Sequence, residues 1–133
     1  MLFRSLEPGE ILTQIRVPIP AAGTGSAYQK LKRKTGDYAT AASAVVLRMK
    51  GGVVDEVRIG LTNVASTALR ANAAEDALKG KAINDASLNE AARLAMSICE
   101  PMEDLRGDAE YKRAMCGEMT RRALQVAHQR ATN

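Results

Sequence analysis

The sequence has very few aromatic side chains, with three Tyr, one Phe and no Trp among 133 residues. It therefore lacks the aromatic-rich strand motifs of the common RNA-binding sheets. The hydrophobic content of 46% is ordinary, so we do not expect disorder. The core must be built from Ala, Leu, Val, Ile and six Met. A chain of this length is expected to form one domain rather than two.

Metal ligands and long apolar runs are equally scarce. The only cysteines, Cys99 and Cys116, do not have metal-ligand spacing, and the only histidine is His128. We therefore expect no zinc or iron–sulfur site in this chain, and we interpret the two thiols as buried or idle rather than as a disulfide framework. No segment is long and apolar enough to span a membrane and no leader peptide is recognised, which predicts a cytoplasmic protein. The net charge of +4 permits an anionic partner without identifying one.

The first half of the chain has the alternation of apolar and polar residues that is typical of strands. A turn over residues 7–10 precedes a predicted half-buried strand at residues 11–17, which the following prolines end. A second strand is predicted at residues 26–33, and residues 39–49 form either a strand or a short helix that enters one. Gly51-Gly52 separates two apolar runs and predicts a hairpin into a strand over residues 53–62.

The second half has helical periodicity. A first helix is predicted at residues 68–79, with Gly80 as its C-terminal stop. The capping-box pattern at residues 87–90 predicts the start of a second helix, which Pro101 ends. Asp108 is predicted to cap a third helix that reaches about residue 129. The apolar stripe predicted for this helix is Tyr111, Met115, Met119, Ala123 and Val126, and its polar face is Lys112, Arg113, Arg121 and Arg122.

These elements predict an α+β fold, in which an antiparallel β-meander of three to four strands is followed by three helices packed on one face. Residues 10–62 are expected to be mainly β and residues 66–130 mainly α, with linkers or loops at 1–9 and 18–25. There is no phosphate-binding glycine loop and no nucleophile elbow. The adjacent carboxylates at 55–56 and 103–104 are interpreted as solvated. No residue is assigned a catalytic or metal-binding role.

The most informative segment is a basic run that ends at a turn and an aromatic residue. Gly36 permits a sharp turn, and Asp37 can close it with a hydrogen bond to the nearby backbone. Such a turn would fix the Tyr38 ring beside cations, which suits stacking on a planar anionic cofactor or on a nucleic-acid base. The alternative is a solvated strand end with a tyrosine that anchors the sheet edge. The cations of the run are Lys30, Lys32, Arg33 and Lys34.

Several segments are familiar in their order and spacing: residues 6–12, 15–18, 25–40, 59–65, 104–111 and 120–123. Together they resemble the C-terminal domain of the medium, flavoprotein subunit of aerobic carbon monoxide dehydrogenase, one of the xanthine dehydrogenase-like molybdenum hydroxylases. The resemblance covers nearly the whole chain. The Lys-Arg-Lys-Thr-Gly-Asp-Tyr string at residues 32–38 favours the carbon monoxide branch of that family.

The resemblance implies a fold, a cofactor and partners. Such a domain has a small antiparallel sheet and three helices, and it closes over FAD held mainly by N-terminal lobes. Electrons pass from a molybdenum cofactor in a large subunit, through two iron–sulfur clusters in a small subunit, to FAD and then to an external acceptor. By resemblance, Tyr38 lies against the isoalloxazine ring, with Asp37 and the basic run (Lys30, Lys32, Arg33 and Lys34) close by.

The same resemblance limits what this chain is expected to do alone. The N-terminal FAD-binding lobes are absent from residues 1–133, so we expect weak or no FAD binding and no catalytic competence for the isolated chain. Two readings without a redox role remain open. One is a small basic nucleic-acid-binding module that uses Tyr28, Tyr38 and the basic run, and the other is a subunit-assembly domain.

Overall fold

A computed structural model describes residues 7–133, which contain one antiparallel sheet and three helices. The strands follow one another in the order β1-β2-β3-β4. Their bounds are β1 Thr24–Leu31, β2 Ala41–Lys50, β3 Val53–Thr62 and β4 Leu69–Arg70. The helices are α1 Asn72–Leu78, α2 Asp85–Ser97 and α3 Ala109–Thr132. The predicted α+β class, with a meander followed by helices, is confirmed.

One face of the sheet carries the core. The strand register places Ala27, Val45 and Ile59 side by side, and all three are buried. Helix α3 packs over β1 and β2, and α1 packs on β3. Helix α2 packs against both α1 and α3. On the opposite face, Tyr28 and Ala44 are cross-strand partners and are exposed. The helices therefore cover one face only, as the sequence predicted.

The local turn signals of the first half are confirmed. Gly51 and Gly52 have φ angles of +60° and +79°, which glycine adopts without strain, and they join β2 to β3. Residues 39–49, which the sequence left open between strand and helix, are extended from Ala41 onward. Near residue 10, the amide of Glu10 donates to the Glu7 carbonyl at 3.0 Å, which confirms the predicted turn.

The strand predicted at residues 11–17 is wrong for this chain. Within the described residues, 11–17 pair with no strand and their aliphatic side chains are exposed. Alternation of apolar and polar residues makes a strand only where a neighbouring strand pairs with it, and the pattern does not supply that neighbour. The expectation that residues 10–62 are mainly β is therefore correct only from β1 onward.

Two helix starts differ from the prediction. The helix predicted at residues 68–79 is shorter, because Leu69–Arg70 pair with β3 as β4, and α1 begins at Asn72. Helix α2 begins earlier than predicted, because its capping box is formed by Asn84 and Ser87 rather than by residues 87–90. The Asn84 side chain accepts from the Ser87 amide at 2.9 Å, and Ser87 Oγ accepts from the Asn84 amide at 3.0 Å.

Helix α3 confirms its predicted cap but not its whole predicted face. The Asp108 carboxylate accepts from the Tyr111 amide at 2.7 Å, which caps the helix as expected. Tyr111, however, is nearly half exposed, whereas Lys112, which was predicted to be solvated, is only 2% exposed. Lys112 Nζ lies 2.9 Å from an Asp104 carboxylate oxygen and 2.6 Å from the Met102 carbonyl. These partners offset the cost of burying its charge.

Two further properties concern the helices. Cys99 and Cys116 are both buried, which agrees with the interpretation of the sequence, and their Sγ atoms lie 3.4 Å apart where α2 meets α3. The hydrogen bond with Cys99 and burial raise the pKa of the Cys116 thiol, so this thiol stays protonated. Across residues 7–133, every helix is too short or too polar to cross a bilayer.

Candidate functional site

The connection between β1 and β2, residues 32–40, forms the candidate site and is termed the Tyr38 loop. The Thr40 amide donates to the Leu31 carbonyl at 2.8 Å, which closes the base of the loop. The Asp37 amide donates to the Lys34 carbonyl at 3.2 Å, and Gly36 has a φ of +81° within this turn. The side chain of Tyr38 follows the turn and is 82% exposed. A tyrosine that anchored the sheet edge would be buried, so the structure disfavours that alternative.

Asp37 fixes the geometry of the loop. Its side chain is only 8% exposed, and Oδ1 accepts from the Tyr38 amide at 2.9 Å. The same oxygen accepts from Arg106 Nη2 at 3.0 Å, while Oδ2 lies 3.4 Å from Arg33 Nε. The Arg106 hydrogen bond holds the pKa of Asp37 below its usual range, although burial opposes it. The predicted closure of the turn by Asp37 is confirmed, and the carboxylate stays ionised at neutral pH.

Arg106 contacts the Tyr38 loop, and the sequence did not predict this contact. It lies in the loop between α2 and α3, 69 residues from Asp37 in sequence. Its guanidinium carbon is 5.9 Å from the centroid of the Tyr38 ring, within the range of a cation–π contact. Residues 104–111 were recognised for their resemblance, but nothing local in them indicates a contact with the Tyr38 loop.

The loop that carries Arg106 is itself held in place. Asp104 and Gly107 exchange two backbone hydrogen bonds, of 3.2 Å and 3.1 Å. Asp104 Oδ1 accepts from the Arg106 amide at 2.8 Å and also pairs with Lys112 of α3. The buried Lys112 side chain therefore anchors the loop that places Arg106 beside Asp37.

Asn63 secures the other side of the Tyr38 loop. It follows β3 and adopts a φ of +62°, a left-handed conformation that asparagine tolerates better than most residues. Its side-chain amide donates to the carbonyls of Ala39 and Thr40, the second at 3.3 Å. Asn63, just after β3, thus holds the residues that follow Tyr38, while Arg106, in the loop before α3, holds Asp37.

The cations predicted for the site divide into two groups. Lys30 Nζ donates to the Asp37 carbonyl at 3.0 Å, and Arg33 pairs with the Asp37 side chain. These two groups support the loop itself. Lys32 and Lys34 are exposed, and within residues 7–133 neither side chain makes a hydrogen bond or an ion pair. The site therefore presents an exposed aromatic ring on a fixed backbone, with two cations available to an anionic partner.

We predict that Arg106→Gln loosens the Tyr38 loop without unfolding the domain. The change removes the guanidinium that bonds Asp37 and faces Tyr38, so the Tyr38 amide should exchange with deuterium several-fold faster. Amide exchange followed by mass spectrometry would measure this. The matched control is Arg93→Gln, which breaks an exposed pair with Glu90 on α2. Unchanged exchange at Tyr38 in Arg106→Gln would contradict the positioning role.

Comparisons with known proteins agree with the sequence resemblance. Residues 26–127 match the model of the CO dehydrogenase flavoprotein C-terminal domain. The carbon monoxide dehydrogenase medium chain of Hydrogenophaga pseudoflava is 57% identical over 122 residues, which cover 92% of this chain and 42% of that relative. The medium chain of Afipia carboxidovorans is 53% identical over 131 residues, which cover 98% of this chain and 46% of the relative.

A solved structure gives the same result for the fold. Reconstituted CO dehydrogenase from Oligotropha carboxidovorans superposes with a TM-score of 0.91 and 53% identity, over 96% of this chain and 45% of the matched chain. The chain therefore spans slightly less than half the length of the relatives that it matches.

Proposed function

Because the chain belongs to the CO dehydrogenase flavoprotein C-terminal domain family, we propose that it covers the flavin in the medium subunit of an aerobic carbon monoxide dehydrogenase. The observation that carries this proposal is the Tyr38 ring, which is 82% exposed although its backbone is fixed from both sides. A ring that is 82% exposed buries little apolar surface within this domain. Such exposure is expected where a flat ligand covers the ring.

The residues of the Tyr38 loop suit FAD as that ligand. FAD, when bound, takes up electrons and passes them to an acceptor. Tyr38 would lie against the isoalloxazine ring and exclude water from one face of it. Lys32 and Lys34 are free to approach anionic groups, while Asp37 with Arg33, Lys30 and Arg106 keeps the ring in place. The sequence has no glycine-rich phosphate loop. Most of the contacts that bind FAD would therefore come from the N-terminal lobes of the complete subunit.

The proposal includes partners and a location. The domain would work with N-terminal FAD-binding lobes, a molybdenum-cofactor large subunit and an iron–sulfur small subunit. We propose a cytoplasmic location for this complex. Residues 1–133 alone are expected to bind FAD weakly or not at all and to lack catalytic activity.

The proposal is tested by Tyr38→Ala in a complete enzyme. This chain would replace the matching part of the Hydrogenophaga pseudoflava medium chain, expressed with the other subunits of that enzyme. Stacking of an aromatic side chain on a planar heterocycle is worth about 1–3 kcal/mol. We therefore expect flavin retention to fall about fivefold or more and reoxidation of the reduced flavin by dioxygen to become faster. Stopped-flow absorbance and flavin content would measure both.

The control for this experiment is Tyr28→Ala, which removes another exposed tyrosine from the open face of the sheet. Tyr28→Ala should leave the flavin unaffected, and substrate oxidation at molybdenum should be unchanged in both variants. Equal flavin retention and reoxidation in Tyr38→Ala and the parent would refute the covering role. The nucleic-acid-binding alternative receives no support from the relatives, which are oxidoreductase subunits.

A further inference from the structure

Cys99 and Cys116 form a pair of thiols that has no part in the contacts of the Tyr38 loop. Their Sγ atoms are 3.4 Å apart, and the two residues are 3% and 0% exposed. Cys99 follows the C-terminal end of α2, whereas Cys116 lies within α3. The sequence contains no other cysteine. A disulfide within this chain can therefore join only these two residues.

The packing of α2 on α3 brings the two thiols together. Gly117 follows Cys116, and a β-carbon at Gly117 would lie 2.6 Å from Met96 Sδ of α2. The missing side chain thus allows the two helices to approach closely. The sulfur atoms of a disulfide are about 2.05 Å apart, so the two Sγ atoms must approach by roughly 1.4 Å. Cys99 can make this movement because it lies beyond Ile98, the C-cap of α2.

The two thiols differ in reactivity. A hydrogen bond from Cys116 and the positive charge of Arg113 lower the pKa of Cys99, although burial opposes them. Arg113 Nε also donates to the Cys99 carbonyl at 3.3 Å. Because the thiolate is the nucleophilic form of cysteine, Cys99 is the thiol expected to react first. A local opening at the end of α2 would admit a small oxidant to Cys99, while Cys116 stays enclosed in the helix.

We propose that Cys99 and Cys116 form a reversible disulfide when the domain meets hydrogen peroxide. The Cys99 thiolate attacks a peroxide oxygen, the O–O bond breaks, and hydroxide leaves and is protonated to water. The Cys116 sulfur then attacks the sulfur of the Cys99 sulfenic acid. The S–S bond forms, the S–O bond breaks, and hydroxide leaves with the Cys116 proton as a second water. The two thiols lose two electrons and two protons in total, and the peroxide takes them up.

The disulfide would close a loop that contains the support of the Tyr38 loop. The two cysteines are 17 positions apart, and Asp104, Arg106 and Lys112 all lie between them. A cross-link at the ends of this segment restricts its opening, and Arg106 donates to Asp37 at 3.0 Å. Oxidation should therefore also hold the Tyr38 loop more firmly. This inference uses contacts within the chain and does not depend on the proposed function.

The test treats the reduced 133-residue chain with hydrogen peroxide and then digests it with trypsin without reductant. We expect the peptides of residues 94–106 and 114–121 to be joined, and dithiothreitol to separate them. The melting temperature should rise by at least about 5 °C, because a disulfide restricts the unfolded chain. Amide exchange at Arg106 and Tyr38 should slow several-fold. Dithiothreitol should reverse both effects.

The matched control is Cys116→Ala, which keeps the methionines that peroxide also oxidises. After peroxide treatment it should contain no joined peptides, and neither its melting temperature nor the protection of Tyr38 should increase. If Cys116→Ala fails to fold, Cys99→Ala replaces it, because Cys99 lies outside the helices. The comparison of the oxidised parent with the same protein after dithiothreitol remains decisive without either variant.

The degree of oxidation is calibrated within the same chain by Met102, which is 79% exposed. Three outcomes overturn the disulfide. They are two intact thiols in a chain whose Met102 is oxidised, a sulfinic acid at Cys99 beside an intact Cys116 thiol, and disulfides that join two chains. Joined peptides with unchanged exchange at Arg106 and Tyr38 would refute the effect of the disulfide on the Tyr38 loop.

Discussion

Gly25→Ala should destabilise the domain by about 3 kcal/mol or more, at the upper end of the range for overpacked sites. Gly25 lies in β1 where the C-terminal half of α3 crosses it. A β-carbon there would lie 2.0 Å from the Ala127 carbonyl oxygen and 2.5 Å from the Ala131 amide nitrogen. Both atoms belong to the helix backbone, which cannot move aside as a side chain can. The helix must therefore shift away from the sheet, and the core between them must open.

The matched control is Gly60→Ala in β3. A β-carbon at Gly60 meets no heavy atom within 4 Å, so this change should be tolerated. Urea denaturation followed by far-UV circular dichroism would give both free energies of unfolding. Similar values for the two variants would show that α3 does not depend on close approach at Gly25. Since α3 also holds Lys112 and through it the Arg106 loop, Gly25→Ala should in addition speed exchange at Tyr38.

The features that the sequence predicted correctly are those with local causes. The Gly51-Gly52 hairpin, the Asp108 cap and the closure of the turn by Asp37 each depend on residues within a few positions of one another. The exposed Tyr38 follows from the same turn. In each case the backbone conformation and a nearby hydrogen bond decide the structure, and tertiary packing does not override them.

The features that the sequence did not predict have distant causes. Arg106 reaches Asp37 only because the sheet and α3 bring two remote loops together. Lys112 is buried because its ammonium group pairs with Asp104 and donates to the Met102 carbonyl, although lysine side chains are usually exposed to solvent. Residues 11–17 have the alternation of a strand, but a strand also requires a neighbouring edge, and the pattern alone does not say which protein segment supplies it.

Glu75 is another residue whose role comes from tertiary structure. It lies in α1 with a side chain only 4% exposed, and Oε1 accepts from the Ile59 amide of β3 at 2.9 Å. Beside it, the Ala71 amide donates to the Ile59 carbonyl at 3.0 Å. The carboxylate thus continues the hydrogen bonding of β3 where the two-residue strand β4 has ended. Arg70 completes the arrangement with two bonds to the carboxylate, of 2.9 Å and 2.8 Å.

Opposing effects set the pKa of Glu75. Burial alone would raise it, but hydrogen bonds from Arg70 and from the Ile59 amide more than offset burial, so the pKa lies below its ordinary value of 4.5. A carboxyl group with a lowered pKa in the folded state contributes stability that is fully present above its unfolded pKa. That contribution is lost as the pH falls from about 4.5 through the lower, folded value.

We therefore expect Glu75→Gln to lower the free energy of unfolding at neutral pH by about 3 kcal/mol. This is the lower end of the range for a broken buried ion pair, because Arg70 is 34% exposed. On acidification the parent should lose this advantage, so that the difference in free energy of unfolding between the two proteins shrinks as the pH falls below about 4.5. Urea denaturation across this pH range would measure the convergence. Glu90→Gln removes an exposed partner of Arg93, so its free energy of unfolding should change with pH almost as that of the parent does. A constant difference between Glu75→Gln and the parent at every pH would mean that the charge of Glu75 does not stabilise the edge of β3.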